Sequence, residues 1–363
     1  MDWALTKQES SAFKGIAIMA MLVHHLYCSI PDWVEPYDGA LLWLGCLGKV
    51  CVSMFLFISG YGLSASYMKE KKQNTTSAIK FVVRRLALFY MNYWMIFLIF
   101  VPITVCGFGR SFYVAYDTGG ESAILNIFLD LLGIQNPPYN ITWWFNRLIV
   151  VLYIVFPLLF WCIKKDPILI LLASLLWFSV YKKDLLCGGM HLYQFTFMMG
   201  ILWHNVTTRH GMQIELGRGT ISHKLLLLTE RNCWLLPMAS ILFLIMTILC
   251  WQYPVIPHLS SERMGSFVSI AILLVILFLL GKSKVLMNTL AFLGVHSANI
   301  YLLHTFYNGY WHFTWLHDNN IMRSGVNFVI LLAMCVLTSL LIEFLKEEIG
   351  VNKLTNAIKN KLS

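Results

Sequence analysis

Charged residues are scarce in this sequence. Asp, Glu, Lys and Arg make up 12% of its 363 residues, against roughly 25% in a soluble globular chain, so the composition excludes a soluble enzyme. The nine cysteines form no CxxC pair, which excludes the common zinc and disulfide frameworks. Apolar residues reach 58%, and the 24 Phe, 16 Tyr and 13 Trp are too many for a disordered chain. What remains is a polytopic membrane protein.

Long apolar runs support this class. A membrane-spanning helix needs about 20 apolar residues, and the sequence predicts ten spans, of which 167–181 is the shortest. They lie at about 13–30, 41–67, 81–105, 143–163, 167–181, 189–204, 232–252, 265–281, 286–308 and 321–345. We therefore predict an all-α transmembrane bundle, with 1–345 as a single integral-membrane domain and 346–363 as a short basic cytoplasmic tail. A further apolar patch, 123–132, is too short to cross and predicts an interfacial or re-entrant helix.

Basic residues set the orientation. With the N-terminus inside, twenty of the 27 Lys and Arg residues fall in cytoplasmic segments and six in outside segments. The positive-inside rule therefore predicts that both termini are cytoplasmic. The net charge of +9 comes from basic residues that flank the apolar runs, as expected of a protein whose partner is the lipid bilayer. No nucleic-acid partner is predicted. The basic loop 205–231 suits either anionic lipid or an anionic cofactor.

The first apolar run carries polar groups at membrane depth, where they are costly and mark functional candidates. Lys14 and His25 are eleven residues apart, about 16 Å along a helix, and project from nearly the same face. This helix could hold a cation at the cytoplasmic mouth and a base deeper inside. His24 points about 100° away from that face. A hydrogen-bonded structural role explains His25 equally well.

Other polar residues have ordinary explanations beside functional ones. Ser59 stands next to Gly60, where helix packing or a kink is favoured, and no nucleophile elbow surrounds it. Arg84 and Arg85 open the third run, where they could clamp phosphates or simply mark the cytoplasmic flank.

The residues before the fourth span and within the ninth complete the candidates. Trp143 and Trp144 are typical of an aromatic belt at the membrane interface. His296 and His304 lie eight residues apart on neighbouring helix faces. A metal ion would need a third ligand that this spacing does not supply, so no metal site is predicted.

Taken in order, these residues resemble the membrane acyltransferase 3 family. Each motif is short, but the ordered set spans nearly the whole chain. The matching segments are Lys14-x10-His25, Val52-Ser-Met-Phe-x3-Ser59-Gly60, Phe81-x3-Arg85, Trp144-Phe145 with Tyr153 and Pro157, Phe197-x2-Gly200, and Ser297-x2-Ile300-Tyr301-Leu-x-His304. The chain departs from the family pattern at Lys14, usually Arg, at Cys51, usually Gly, and at Leu88 and Met91, usually Arg and Pro.

The resemblance implies transfer of an acyl group, usually acetyl, from cytoplasmic acyl-CoA to a hydroxyl of an extracytoplasmic or lipid-linked cell-surface glycan. It places the enzyme in the plasma membrane, with acyl-CoA as donor substrate and no tightly bound cofactor. His25 becomes the essential histidine, which either deprotonates the acceptor hydroxyl or accepts the acyl group itself. The CoA phosphates are expected at Lys14, Arg84 and Arg85. Substrate contacts are expected at His24, Ser59, Trp143, Trp144, Arg147, Tyr301 and His304.

Two other functions fit the same sequence. A small-solute or proton-coupled transporter would use His25, Lys49 and His304 as a path across the membrane. Many transporters carry internal repeats with broken helices, and none is visible here. A membrane acyltransferase of a different class would modify lipids or proteins instead of glycans.

Overall fold

The computed structural model contains helices and no strands over the residues that it describes, which confirms the all-α prediction. Those residues are 4–28, 37, 39–72, 77–108, 123–134, 140–180, 190–213, 235–252, 261–310 and 321–362. In chain order the α-helices are α1 (Lys7–Tyr27), α2 (Gly39–Gly48), α3 (Cys51–Lys72), α4 (Ala78–Phe108), α5 (Ala123–Leu131), α6 (Trp144–Lys165), α7 (Pro167–Val180), α8 (Met190–Gln213), α9 (Leu235–Gln252), α10 (Ser261–Phe278), α11 (Lys284–Thr305), α12 (Ile321–Glu348) and α13 (Val351–Leu362). Short 3-10 turns cover Ile141–Trp143 and Leu280–Lys282, and a π-helical turn covers Phe306–Tyr310.

Each of the ten predicted apolar runs overlaps at least one of these helices, and the run 41–67 overlaps two, α2 and α3. Within the described ranges, six helical stretches are long and apolar enough to cross a membrane, and α9 adds the shorter apolar stretch Pro237–Leu249. The six are Gly39–Lys72, Ala78–Gly107, Trp144–Lys165, Met264–Lys282, Lys284–Gly309 and Ser324–Glu348. The basic segment predicted at 205–231 forms the end of α8 as far as Gln213, and the rest of it lies outside the described residues.

Helix α5, on the apolar patch predicted to be interfacial or re-entrant, spans nine residues and lies against α4. Tyr93 Oη donates to the carbonyl of Asp130 (2.8 Å), and Trp94 Nε1 donates to the carbonyl of Leu131 (2.7 Å). These bonds satisfy carbonyls at the C-terminal end of α5, which lack partners inside the helix. Aromatic residues of α4 therefore hold α5 in place.

Two glycines bring α1 and α11 into backbone contact. A Cβ on Gly15 would lie 2.0 Å from the carbonyl oxygen of Leu290, and one on Gly294 would lie 1.7 Å from that of Ser11. Small residues permit this close approach of membrane helices. The two helices run parallel, so the residues ten positions beyond each glycine also meet. Those residues are histidines.

Helix α1 lies at the centre of the bundle. One apolar cluster packs it against α4, α11 and α12, and another packs it against α3, α10 and α11. Burial on both faces explains why its sequence is apolar almost throughout.

A short turn at Gly350 separates α12 from α13. Gly350 has a φ of +81°, in the left-handed region that favours glycine and commonly ends helices. Helix α13 then lies against α4, where Thr355 Oγ1 is 3.6 Å from Met91 Sδ.

Candidate active site

A cavity of about 470 Å³ opens where α1, α3, α4, α6, α11, α12 and α13 meet. We call it the basic cavity, because three of its four charged side chains are cations. Its charged lining residues are Lys14, Arg85, Glu343 and Lys346, and its other polar lining residues include Ser59, Asn92, Asn146, Tyr153, Ser297, Asn299, Asn352 and Thr355.

A hydrogen-bonded network on one wall of the basic cavity neutralises the carboxylate of Glu343. Glu343 Oε1 accepts from Lys346 Nζ (2.5 Å) and from Asn299 Nδ2 (2.9 Å). Lys346 Nζ also donates to Asn92 Oδ1 (2.5 Å). Lys14 and Arg85 form no ion pair with another described residue. The cavity therefore carries excess positive charge and suits an anionic ligand.

A second cavity of about 150 Å³ adjoins the first. We call it the histidine cavity, because His24 and His25 line it. Three aromatic residues line both cavities, and we call them the aromatic boundary: Phe55, Phe145 and Tyr301. The Phe145 ring centroid lies 6.5 Å from that of Phe55 and 5.7 Å from that of Tyr301. The two cavities thus meet across three contacting rings.

Three histidines cluster at the histidine cavity. The His25 ring centroid lies 5.1 Å from that of His24 and 4.8 Å from that of His304. Nδ1 of His24 donates to the carbonyl of Gly45 (2.9 Å), and Nδ1 of His304 donates to that of Tyr301 (2.7 Å), since a carbonyl can only accept.

His25 differs from its two neighbours. Its backbone carbonyl accepts from Asn308 Nδ2 (2.9 Å), but its ring makes no hydrogen bond within the described part of the chain. Of the three imidazoles, His25 therefore keeps both ring nitrogens available for chemistry, and it lines the histidine cavity. His304 contacts the His25 ring but does not line the histidine cavity.

The structure brings together most of the residues that the sequence selected. Lys14, Ser59 and Arg85 line the basic cavity, and His24, His25 and Trp144 line the histidine cavity, while Tyr301 lines both. Lys49, named above for the transporter alternative, also lines the histidine cavity. Next to Ser59, Gly60 makes a close backbone approach to Phe197 in α8.

Besides His304, three of the selected residues lie outside both linings. Arg84 is buried, and its guanidinium donates to the carboxylate of Glu70 in α3. Consecutive helix residues point about 100° apart, which is why Arg84 and Arg85 diverge. Trp143 is 1% exposed, and its Nε1 donates to the carbonyl of Leu302 (3.2 Å). Arg147 Nη1 donates to the carbonyl of Ile134 (3.3 Å).

Sequence reasoning missed the network on the wall of the basic cavity. Glu343 and Lys346 are three residues apart and share one helix face. A carboxylate at the end of an otherwise apolar run, followed by a lysine at this spacing, is a signal that could have found them. Asn92 and Asn299 carried no such signal, because neither has an Asp, Glu, Lys or Arg three or four positions away in the sequence.

Among the described residues, no group of three or more His, Cys, Asp or Glu side chains could hold a metal ion. The model of the acyltransferase 3 domain family matches residues 9–344 of the chain. No curated protein and no solved structure matches it. The family match covers α1 to α12 almost completely, including both cavities except for the contribution of Lys346 and α13. The chain therefore belongs to the acyltransferase 3 family, and its apolar helices make it a membrane acyltransferase.

Proposed function

We propose that the chain is an O-acyltransferase of the plasma membrane that moves an acyl group, acetyl in the simplest case, from cytoplasmic acyl-CoA to a hydroxyl of an extracytoplasmic or lipid-linked cell-surface glycan. One observation carries this proposal. A cation-rich cavity and a cavity with an available imidazole meet at the aromatic boundary beside a single helix, α1. A phosphorylated donor and a hydroxyl acceptor need these two environments side by side.

The basic cavity suits the donor. The phosphates of CoA are complemented by Lys14, whose ammonium is a point charge, and by Arg85, whose planar fork can bind two oxygens. If the chain has the ten spans and cytoplasmic termini that we propose, this cavity lies at the cytoplasmic side. The positive-inside rule supports that orientation, because lysines crowd the helix ends on the same side: Lys69, Lys71, Lys72, Lys164, Lys165, Lys282 and Lys284.

The histidine cavity suits the acceptor. Trp144 offers a partly buried indole face that stacks on Tyr193, with ring centroids 6.2 Å apart. Large flat side chains with a few polar groups beside them are typical of ligand sites. Lys49 and His24 supply those polar groups. In the proposed orientation this cavity lies toward the outer face, from which a sugar hydroxyl would enter.

Two routes of transfer are chemically balanced at His25. In the direct route the acceptor oxygen attacks the thioester carbonyl while His25 removes its proton, and the C–S bond breaks as the CoA sulfur takes that proton. In the covalent route a ring nitrogen of His25 attacks the thioester carbonyl, the C–S bond breaks, and the CoA sulfur takes the imidazole's proton. The acceptor hydroxyl then displaces the imidazole, which takes the hydroxyl proton and returns to its neutral form. Trapping of an acylated His25 without acceptor, detected by mass spectrometry, separates the two routes.

The proposal is tested by replacing His25 with Ala. A general base contributes about 10²- to 10⁴-fold to rate, so His25→Ala should reduce glycan-dependent acetyl-CoA consumption in detergent by at least about a hundredfold. Insertion and thermal stability should stay near wild type. The matched control is His204→Gln, a histidine outside both cavities. Proton NMR of the purified surface glycan should show acetyl groups lost only with His25→Ala. Retained acetylation would refute the assignment, and absence of acyl-CoA turnover by the wild type would point to a transporter.

A further inference from the structure

Part of the basic cavity lies beyond the segment matched by the family. The match ends at residue 344, whereas Lys346, Val351, Asn352 and Thr355 line the cavity. These residues come from the end of α12 and from α13. The segment that looked like a basic tail in the sequence is therefore a wall of the site.

This wall is held in place by contacts with α4 on either side of the Gly350 turn. Lys346 Nζ donates to Asn92 Oδ1 (2.5 Å) before the turn. After the turn, Thr355 Oγ1 contacts Met91 Sδ (3.6 Å) and also donates to the carbonyl of Val351 (2.8 Å). Since Met91 and Asn92 are neighbours in α4, α13 is anchored beside the cavity at a fixed position.

The charged residues of the basic cavity indicate which part of a ligand α13 would contact. Lys14 and Arg85 lie on α1 and α4, and the only carboxylate in the described lining, Glu343, is already bonded to Lys346 and Asn299. Lys14 and Arg85 line the same cavity as the three α13 residues, so an anionic ligand held by the two cations would occupy the space that α13 borders. Asn352 faces that space with an amide that can donate to a phosphate oxygen. Thr355, whose proton is donated to the carbonyl of Val351, forms the edge of the same space beside it.

We propose that α13 completes the donor site, and that Asn352 and Thr355 contact the phosphorylated, nucleotide end of the acyl thioester donor. This inference rests on the proposed function, because it names further residues of the same site. In this proposal, α13, which lies outside the family match, sets the affinity for the donor. His25 carries out the transfer. Changes in α13 should therefore alter donor binding and leave the transfer step unaffected.

The test places one negative charge at either of two asparagines one turn apart on α13. Asn352→Asp puts the charge at the cavity, and Asn356→Asp puts the same charge on an exposed residue outside the lining. A like charge near the phosphates should raise the donor KM about five- to tenfold, with kcat and acceptor KM within about twofold of wild type. Thr355→Trp, which fills the cavity edge, should raise the donor KM similarly. Asn356→Asp should match the wild type.

Binding of CoA alone to the full chain in lipid nanodiscs, measured by calorimetry, separates this inference from the proposed function. Weaker CoA binding in Asn352→Asp than in Asn356→Asp supports the role of α13 even if the wild type transfers no acyl group to glycan. Equal donor KM and equal CoA affinity in the two Asp variants would overturn it. No CoA binding to the wild type would overturn both proposals.

Discussion

Adjacent residues of this chain take different positions relative to the site. Trp143 is buried against Tyr93 and Phe306, with ring centroids 5.1 and 5.8 Å away. Trp144 is partly exposed and lines the histidine cavity. The sequence predicted the same role for both tryptophans, an aromatic belt that contacts substrate. Residue type alone does not reveal which side chain at the start of a helix faces the core. The same applies to Arg84, paired with Glu70, and Arg85, at the basic cavity.

The two tryptophans should therefore differ in what their loss does. Trp143→Ala should lower the free energy of unfolding by about 3–5 kcal/mol, because it removes a large buried ring. Trp144→Ala should leave Tm near the wild-type value and raise the KM for the glycan acceptor. Thermal unfolding in detergent and acceptor titration of both variants check this. A larger loss of Tm in Trp144→Ala than in Trp143→Ala would contradict the placement of the two rings.

At the scale of helices, the spacing of the α1–α11 contact determines where the histidines meet. Gly15 and Gly294 let the backbones touch, and the parallel direction of the helices brings His25 to His304 ten residues further on. The sequence predicted both helices and identified both histidines as candidate site residues. It did not predict the pairing of α1 with α11, since two helices far apart in the chain carry no local signal of their register.

Widening this helix contact should therefore affect chemistry at a distance. A Cβ added in Gly294→Ala would fall 1.7 Å from the carbonyl oxygen of Ser11, so the helices must move apart. We expect a lower Tm and a lower kcat, because the His25–His304 contact is displaced. The control is Gly62→Ala in α3, where nothing lies within 4 Å of the new Cβ and the helix should gain up to about 1 kcal/mol. Equal Tm and kcat in the two variants would contradict the packing described.

Helix α13 shows a second limit of sequence reasoning at this scale. Val351, Thr355 and Ile358 follow the spacing of one helix face, so the segment could have been predicted as an amphipathic helix. Its basic residues instead favoured a short basic cytoplasmic tail. The contact of this segment with α4 was not predicted, because it depends on the turn at Gly350, which composition does not reveal.

At the scale of the whole molecule, the aromatic boundary lies between the two cavities that we propose for donor and acceptor. Donor and acceptor occupy different cavities in the proposed mechanism, and only the acyl group must pass Phe55, Phe145 and Tyr301. A closed boundary keeps water away from the thioester until the acceptor is bound. The small histidine cavity, about 150 Å³, also favours short acyl groups.

Opening this boundary should uncouple the two half-sites. Phe145→Ala removes the ring that contacts both other members, so the cavities merge. We expect acetyl-CoA hydrolysis without glycan to rise several-fold, because water then reaches the thioester, and longer acyl-CoA donors to be accepted more readily. Release of free CoA, followed with and without glycan across a series of acyl lengths, measures both effects. Phe344→Ala, on the exposed face of α12, is the control, and an identical hydrolysis rate and chain-length profile in the two variants would show that the three rings do not separate donor from acceptor.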